Sequence, residues 1–107
     1  MFYKHDLSGY HSPVKGVTQK TLVYGKNTLM TEFLLEKDSD LPIHHHPHEQ
    51  TGYLVSGKLK MIIDESEFIV EPGDSWCIGG DIKHGAFSIE NSVAVEIFSP
   101  VRKEYIP

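Results

Sequence analysis

His44-His45-His46-Pro47-His48-Glu49-Gln50, followed after six further residues by Gly57, carries more information than any other stretch of this 107-residue chain. His44, His46 and Gln50 share parity, so in an extended chain two imidazoles and an amide project from one face. Pro47 prevents the whole run from being one regular strand; His45 then points away, and His48 is expected at the surface. Gly57 falls where a strand must turn. Further on, after Pro72-Gly73-Asp74, stands His84. Three imidazoles and one oxygen donor can form the protein part of a divalent-metal site while leaving positions open for a ligand. Four histidines within five residues also read as a solvated polar turn, and the residues alone leave both readings open.

Working outward, short β-rich runs alternate with turn clusters almost throughout. Gly16–Tyr24 ends at Gly25-Lys26-Asn27, and Leu29–Glu36 ends at Asp38-Ser39-Asp40. Tyr53-Leu54-Val55 runs into Ser56-Gly57-Lys58, with Leu59–Ile63 expected to return as its hairpin partner. Asp64-Glu65-Ser66 leads to Phe68-Ile69-Val70, and Pro72-Gly73-Asp74 to Trp76-Cys77-Ile78. Ala86–Ile89 and Val93–Phe98 complete the series. No window has the period of an amphipathic helix, so the pattern predicts a sandwich or barrel. No second domain, long linker or repeat is visible. One domain spans residues 1–107, with residues 1–15, including Gly9 and Pro13, expected as an N-terminal arm.

Composition narrows the function. The formal net charge is −5 with no basic run, which argues against nucleic acid, whose phosphates call for a basic face. No stretch approaches the apolar length of a membrane helix, and the N-terminus has no signal-like apolar region, so no membrane partner is expected and the cytoplasm is the default. The single cysteine, Cys77, excludes an intrachain disulfide and fits a reducing compartment; its apolar surroundings predict a buried structural thiol.

His44-x-His46-x3-Gln50-x6-Gly57 resembles the first motif of the cupin superfamily, and Gly73-x5-Gly79-x-Asp81-x2-His84 keeps the spacing of the second. Asp38, Gly79, Asp81 and Ser88 depart from the family at turn and packing positions, and Gln50 stands where the motif has glutamate. A neutral amide leaves the metal charge uncompensated, which favours an anionic, oxygen-rich ligand. The resemblance implies a single-domain, all-β, jelly-roll-like barrel. It also implies a homodimer and one divalent ion (nickel, zinc, iron or manganese) on His44, His46, Gln50 and His84.

The tail, Glu96-Ile97-Phe98-Ser99-Pro100-Val101-Arg102, is similar to the C-terminal signature of the small pectin-degradation cupins. Their acid, Phe and Arg map to Glu96, Phe98 and Arg102, with Glu96 one methylene longer than the usual aspartate. What this resemblance implies is an isomerase-type enzyme that linearises 4,5-unsaturated uronates, small anionic sugars. Glu96 would move the proton, Phe98 pack against the sugar ring and Arg102 hold the carboxylate. Read from the residues alone, Glu96 and Arg102 could instead be a surface salt bridge beside a core Phe98. A cupin dioxygenase and a non-catalytic sugar- or metal-binding module are the alternative functions.

Overall fold

The strand pattern expected from the turn clusters is present in the computed structural model, which describes residues 1–107. The strands are β1 (His11–Val14), β2 (Val17–Tyr24), β3 (Leu29–Leu35), β4 (Asp40–His44), β5 (Glu49–Ser56), β6 (Leu59–Ile63), β7 (Ser66–Val70), β8 (Ser75–Ile78), β9 (His84–Ser88) and β10 (Ser92–Ser99). The one helical piece is a 3₁₀ turn at Lys103–Tyr105. Side-chain alternation decides which face each strand buries. Along β3, Leu29, Thr31, Phe33 and Leu35 are buried, whereas Met30, Glu32 and Leu34 are half-buried on the other side.

Two antiparallel sheets face each other, one ordered β1-β2-β3-β10-β5-β8 and the other β4-β9-β6-β7. Between them lies a core that includes Val17, Leu29, Phe33, Leu54, Leu59, Met61, Val70 and Phe98. The result is the all-β sandwich that the cupin resemblance implies. No helix is long and apolar enough to cross a membrane.

Register places the polar interior. β10 lies between β3 and β5, so Phe98 stands beside Leu29 and Gln50, and Glu96 beside Thr31 and Gly52. Trp76 on β8 pairs with Gly52. A Cβ at Gly52 would overlap the Trp76 indole, so only glycine lets that ring lie across the strand. One row of the sheet interior therefore runs from Thr31 through Glu96 and Gly52 to Trp76, and it sets Glu96 next to the row that holds Gln50.

Two expectations are corrected. β5 and β6 do not form a hairpin: β5 already has β10 and β8 as neighbours, while β6 pairs with β7 and β9 in the other sheet. Gly57, at φ +93° and packed against Asn91 and Ser92, carries the chain across from one sheet to the other. Cys77 is exposed rather than buried, because on β8 Trp76 and Ile78 take the inward parity. At the N-terminus, residues 1–10 contain no strand, and β1 pairs with β2 as an edge strand of the six-stranded sheet. Lys20 Nζ reaches Asp6 at 3.2 Å, and the Tyr10 hydroxyl donates to Glu32.

Candidate metal centre

His44, His46 and His84 converge, with one potential ligand atom from each lying within 4.8 Å of the others. Strand parity is not what unites them. His44 ends β4, His46 lies in the connection that Pro47 breaks, Gln50 follows on β5, and His84 starts β9. The pairing of His44 with His84 across β4 and β9 brings in the third imidazole, and their ring centroids are 4.4 Å apart. His46, Gln50 and His84 are buried while His44 is exposed at the mouth.

Hydrogen bonds orient these rings. His44 Nδ1 donates to the Pro42 carbonyl at 2.8 Å, and His84 Nδ1 to the Ile82 carbonyl at 2.7 Å. A carbonyl only accepts, so both protons sit on Nδ1 and both Nε2 lone pairs are free. His46 Nε2 and Gln50 Oε1 are 2.8 Å apart, close to the ~3 Å that separates neighbouring ligands held at about 2.1 Å from one ion. His46 Nδ1 is buried and has no partner. Burial, and secondarily the Arg102 charge, lower the His46 pKa to about 4; burial also lowers that of His84. Both imidazoles are thus neutral near pH 7, the form that ligates a metal. Three imidazoles and an amide oxygen fit a divalent first-row ion.

Gln50 also explains why an amide serves where a carboxylate is usual. Its Nε2 donates to Glu96 Oε2, which turns Oε1 toward His46. A glutamate at position 50 would set two carboxylates against each other. Burial raises Glu96 from 4.5 to about 7, against the smaller opposing effects of Arg102 and the nearby Trp76 indole. A carboxyl that titrates near neutrality can both give and accept a proton.

A cavity of about 480 Å³ joins the parts, lined by His44, Gln50, His84, Glu96, Phe98 and Arg102, among others. The alternative reading of Glu96 and Arg102 as a salt bridge does not hold: Arg102 Nε instead pairs with Glu104 Oε1 at 2.7 Å. Phe98 is 1% exposed, and its ring supports the Arg102 guanidinium, whose carbon lies 5.1 Å from the ring centroid. It forms cavity wall under Arg102 rather than an open face for a sugar ring. His45 points away, beside Asp81 at 3.7 Å. His48 is half-buried rather than a surface residue, with a buried, unpartnered Nδ1. Glu104 and Tyr105 also line the cavity. Sequence reasoning passed over them, although the Arg102-x-Glu104 spacing holds an opposite charge within reach of the guanidinium.

Comparison with known proteins agrees with this geometry. The pectin degradation protein KdgF of Dickeya dadantii (strain 3937) is 26% identical over 93 residues, spanning 85% of this chain and 84% of that protein. The structure of KdgF from Halomonas sp. superposes with a TM-score of 0.87 at 23% identity, over 95% of this chain and 92% of that one. An RmlC-like cupin from Shewanella frigidimarina NCIMB 400 gives a TM-score of 0.92 at 21% identity, over 98% and 95%. The cupin domain family matches residues 31–99. With that match covering the two sheets' central strands and every histidine of the cluster, the chain belongs to the cupin family.

Proposed function

We propose that this protein converts 4,5-unsaturated uronate monosaccharides, of the kind released by pectin or alginate breakdown, into their linear keto form. The carrying observation is that Glu96, with its pKa raised to about 7, shares one cavity with Arg102 and the histidine cluster and is tied to that cluster through Gln50. Similarity to the pectin degradation protein KdgF of Dickeya dadantii supports the substrate class.

Arg102 would hold the substrate carboxylate through its planar guanidinium. A divalent ion on His44, His46, Gln50 and His84 would supply Lewis-acid polarisation of substrate oxygen. Glu96 would take the proton from the anomeric hydroxyl oxygen as the bond from C1 to the ring oxygen breaks and the C1 aldehyde forms. The freed ring oxygen leaves as the enolate oxygen on C5. Glu96 would then return the proton to C4, turning that enolate into the C5 ketone. No atom is gained or lost, so the reaction is an isomerisation. Proton transfer of this kind contributes about 10²- to 10⁴-fold in rate.

The test is loss of the unsaturated uronate's ultraviolet absorbance over its spontaneous rate, with nickel, zinc, iron or manganese supplied in turn. Wild type should accelerate the loss, and Glu96→Gln and Arg102→Ala should be strongly impaired. No acceleration with any of the four metals would sink the proposal. Oxygen consumption would favour a dioxygenase, and tight sugar binding without turnover a binding module.

A further inference from the structure

Arg102 is held from three sides. Nε donates to Glu104 Oε1 at 2.7 Å. The guanidinium carbon sits 4.1 Å from the Tyr105 ring centroid and 5.1 Å from that of Phe98. Those two rings stand perpendicular with centroids 5.4 Å apart, so together they make a corner into which the planar cation fits. Tyr105 is itself anchored: its backbone N–H donates to the Arg102 carbonyl at 2.9 Å, and its carbonyl accepts from Thr21 Oγ1. The Arg102 side chain is only 14% exposed.

A guanidinium has five donors in one plane. Here Nε is already engaged, whereas Nη1 and Nη2 hydrogen-bond to no residue. Glu104 lies on the Nε side and also lines the cavity, so its charge repels an anion approaching from there. The remaining approach is end-on to the Nη pair, the geometry in which two parallel N–H groups meet the two oxygens of a carboxylate.

We propose that Glu104 and Tyr105 are positioning residues that lock Arg102 into an end-on receptor for a single planar carboxylate. This makes the cavity selective for acidic over neutral sugars, and as a step in turnover it rests on the uronate reading above. An arginine free in solution would lose its rotamer freedom on binding; this one has lost it in advance.

Two measurements separate the locking from the reaction. In protein labelled with ¹⁵N-arginine, the Arg102 Nε–H signal should be ordered and slow to exchange in wild type and Tyr105→Phe. It should become mobile and fast-exchanging in Glu104→Gln and Tyr105→Leu. Calorimetry with D-galacturonate and D-galactose, both saturated and unreactive, reads selectivity. Tyr105→Leu should weaken galacturonate binding about tenfold, on the scale of the freedom the arginine regains. Glu104→Gln should weaken it about threefold, because Glu104 is largely exposed and screened. Galactose binding and metal content should stay as in wild type. An Arg102 Nε–H as mobile in wild type as in Glu104→Gln would overturn the locking. Equal wild-type affinity for the two sugars would overturn the carboxylate receptor even if unsaturated uronate were turned over. Selective binding without turnover would uphold the receptor and remove the reaction.

Discussion

Replacing Glu96 by glutamine should change how the stability of metal-free protein depends on pH. Burial raises the Glu96 carboxyl from 4.5 to about 7, so the folded chain keeps a proton that the unfolded chain releases above 4.5. A folded-state pKa above the unfolded one gives a contribution that is complete below 4.5 and lost as pH climbs to about 7. At about 1.4 kcal/mol per tenfold change, the loss reaches roughly 3 kcal/mol; water entering the open cavity trims that figure. His46 runs the other way. Its pKa falls from 6.5 to about 4, chiefly through desolvation, so its contribution is complete above 6.5 and lost as pH drops through 4. The two slopes oppose each other in wild type between 4.5 and 6.5. The difference between wild type and Glu96→Gln removes the His46 part and isolates the carboxyl. Urea unfolding in chelator, followed by Trp76 fluorescence, should show the variant gaining on wild type by up to roughly 3 kcal/mol between about pH 4.5 and about pH 8. A difference constant to within about 0.5 kcal/mol across that range would refute a buried carboxyl held in its neutral form.

Gly52→Ala forces the Trp76 indole out of its place across β5 and should cost about 1–3 kcal/mol with a shift in Trp76 emission. Gly25→Ala, where an added Cβ meets no atom within 4 Å, should stay within about 0.5 kcal/mol of wild type by the same unfolding measurement. Gln50→Glu sets a second carboxylate against Glu96. Metal content by elemental analysis should persist while activity near neutral pH falls at least about tenfold, because one of two touching carboxyls must keep its proton. The outward face of the six-stranded sheet carries Met30, Leu34, Val95, Ile97, Tyr53 and Val55, of which Tyr53 and Val55 are about half exposed. That is the face a homodimer would cover. Sedimentation should give a dimer for wild type and a shift toward monomer for Tyr53→Glu.

Local chemistry was the most legible part of this sequence. Turn clusters such as Asp64-Glu65-Ser66 mark where one strand gives way to the next, and there Ile63 pairs with Ser66, because hairpin turns are written in neighbouring residues. The destination of Gly57 was not legible, since a glycine at positive φ marks a turn without saying which sheet receives the next strand. The histidines were recognisable by spacing, yet their convergence depends on β4 pairing with β9, a contact between residues 44 and 84. Strand parity suggested the right side chains for an incomplete reason. Cys77 was misread because its apolar neighbours were weighed as a group; alternation along β8 puts Trp76 and Ile78 inside and the thiol outside. Glu104 and Tyr105 escaped notice because their part depends on where the guanidinium of Arg102 comes to rest.

The most direct test of the proposed chemistry is where a solvent proton lands. Metal-loaded protein would be given the 4,5-unsaturated uronate in D₂O and the product followed by ¹H NMR. A carboxyl held on one side of the ring by Gln50 delivers its proton to one face of C4, so the linear keto product should carry deuterium in one of the two C4 positions only. It should appear faster than in buffer, and the selectivity should be lost in Glu96→Gln. Product forming at the buffer rate with deuterium spread over both C4 positions would contradict the account.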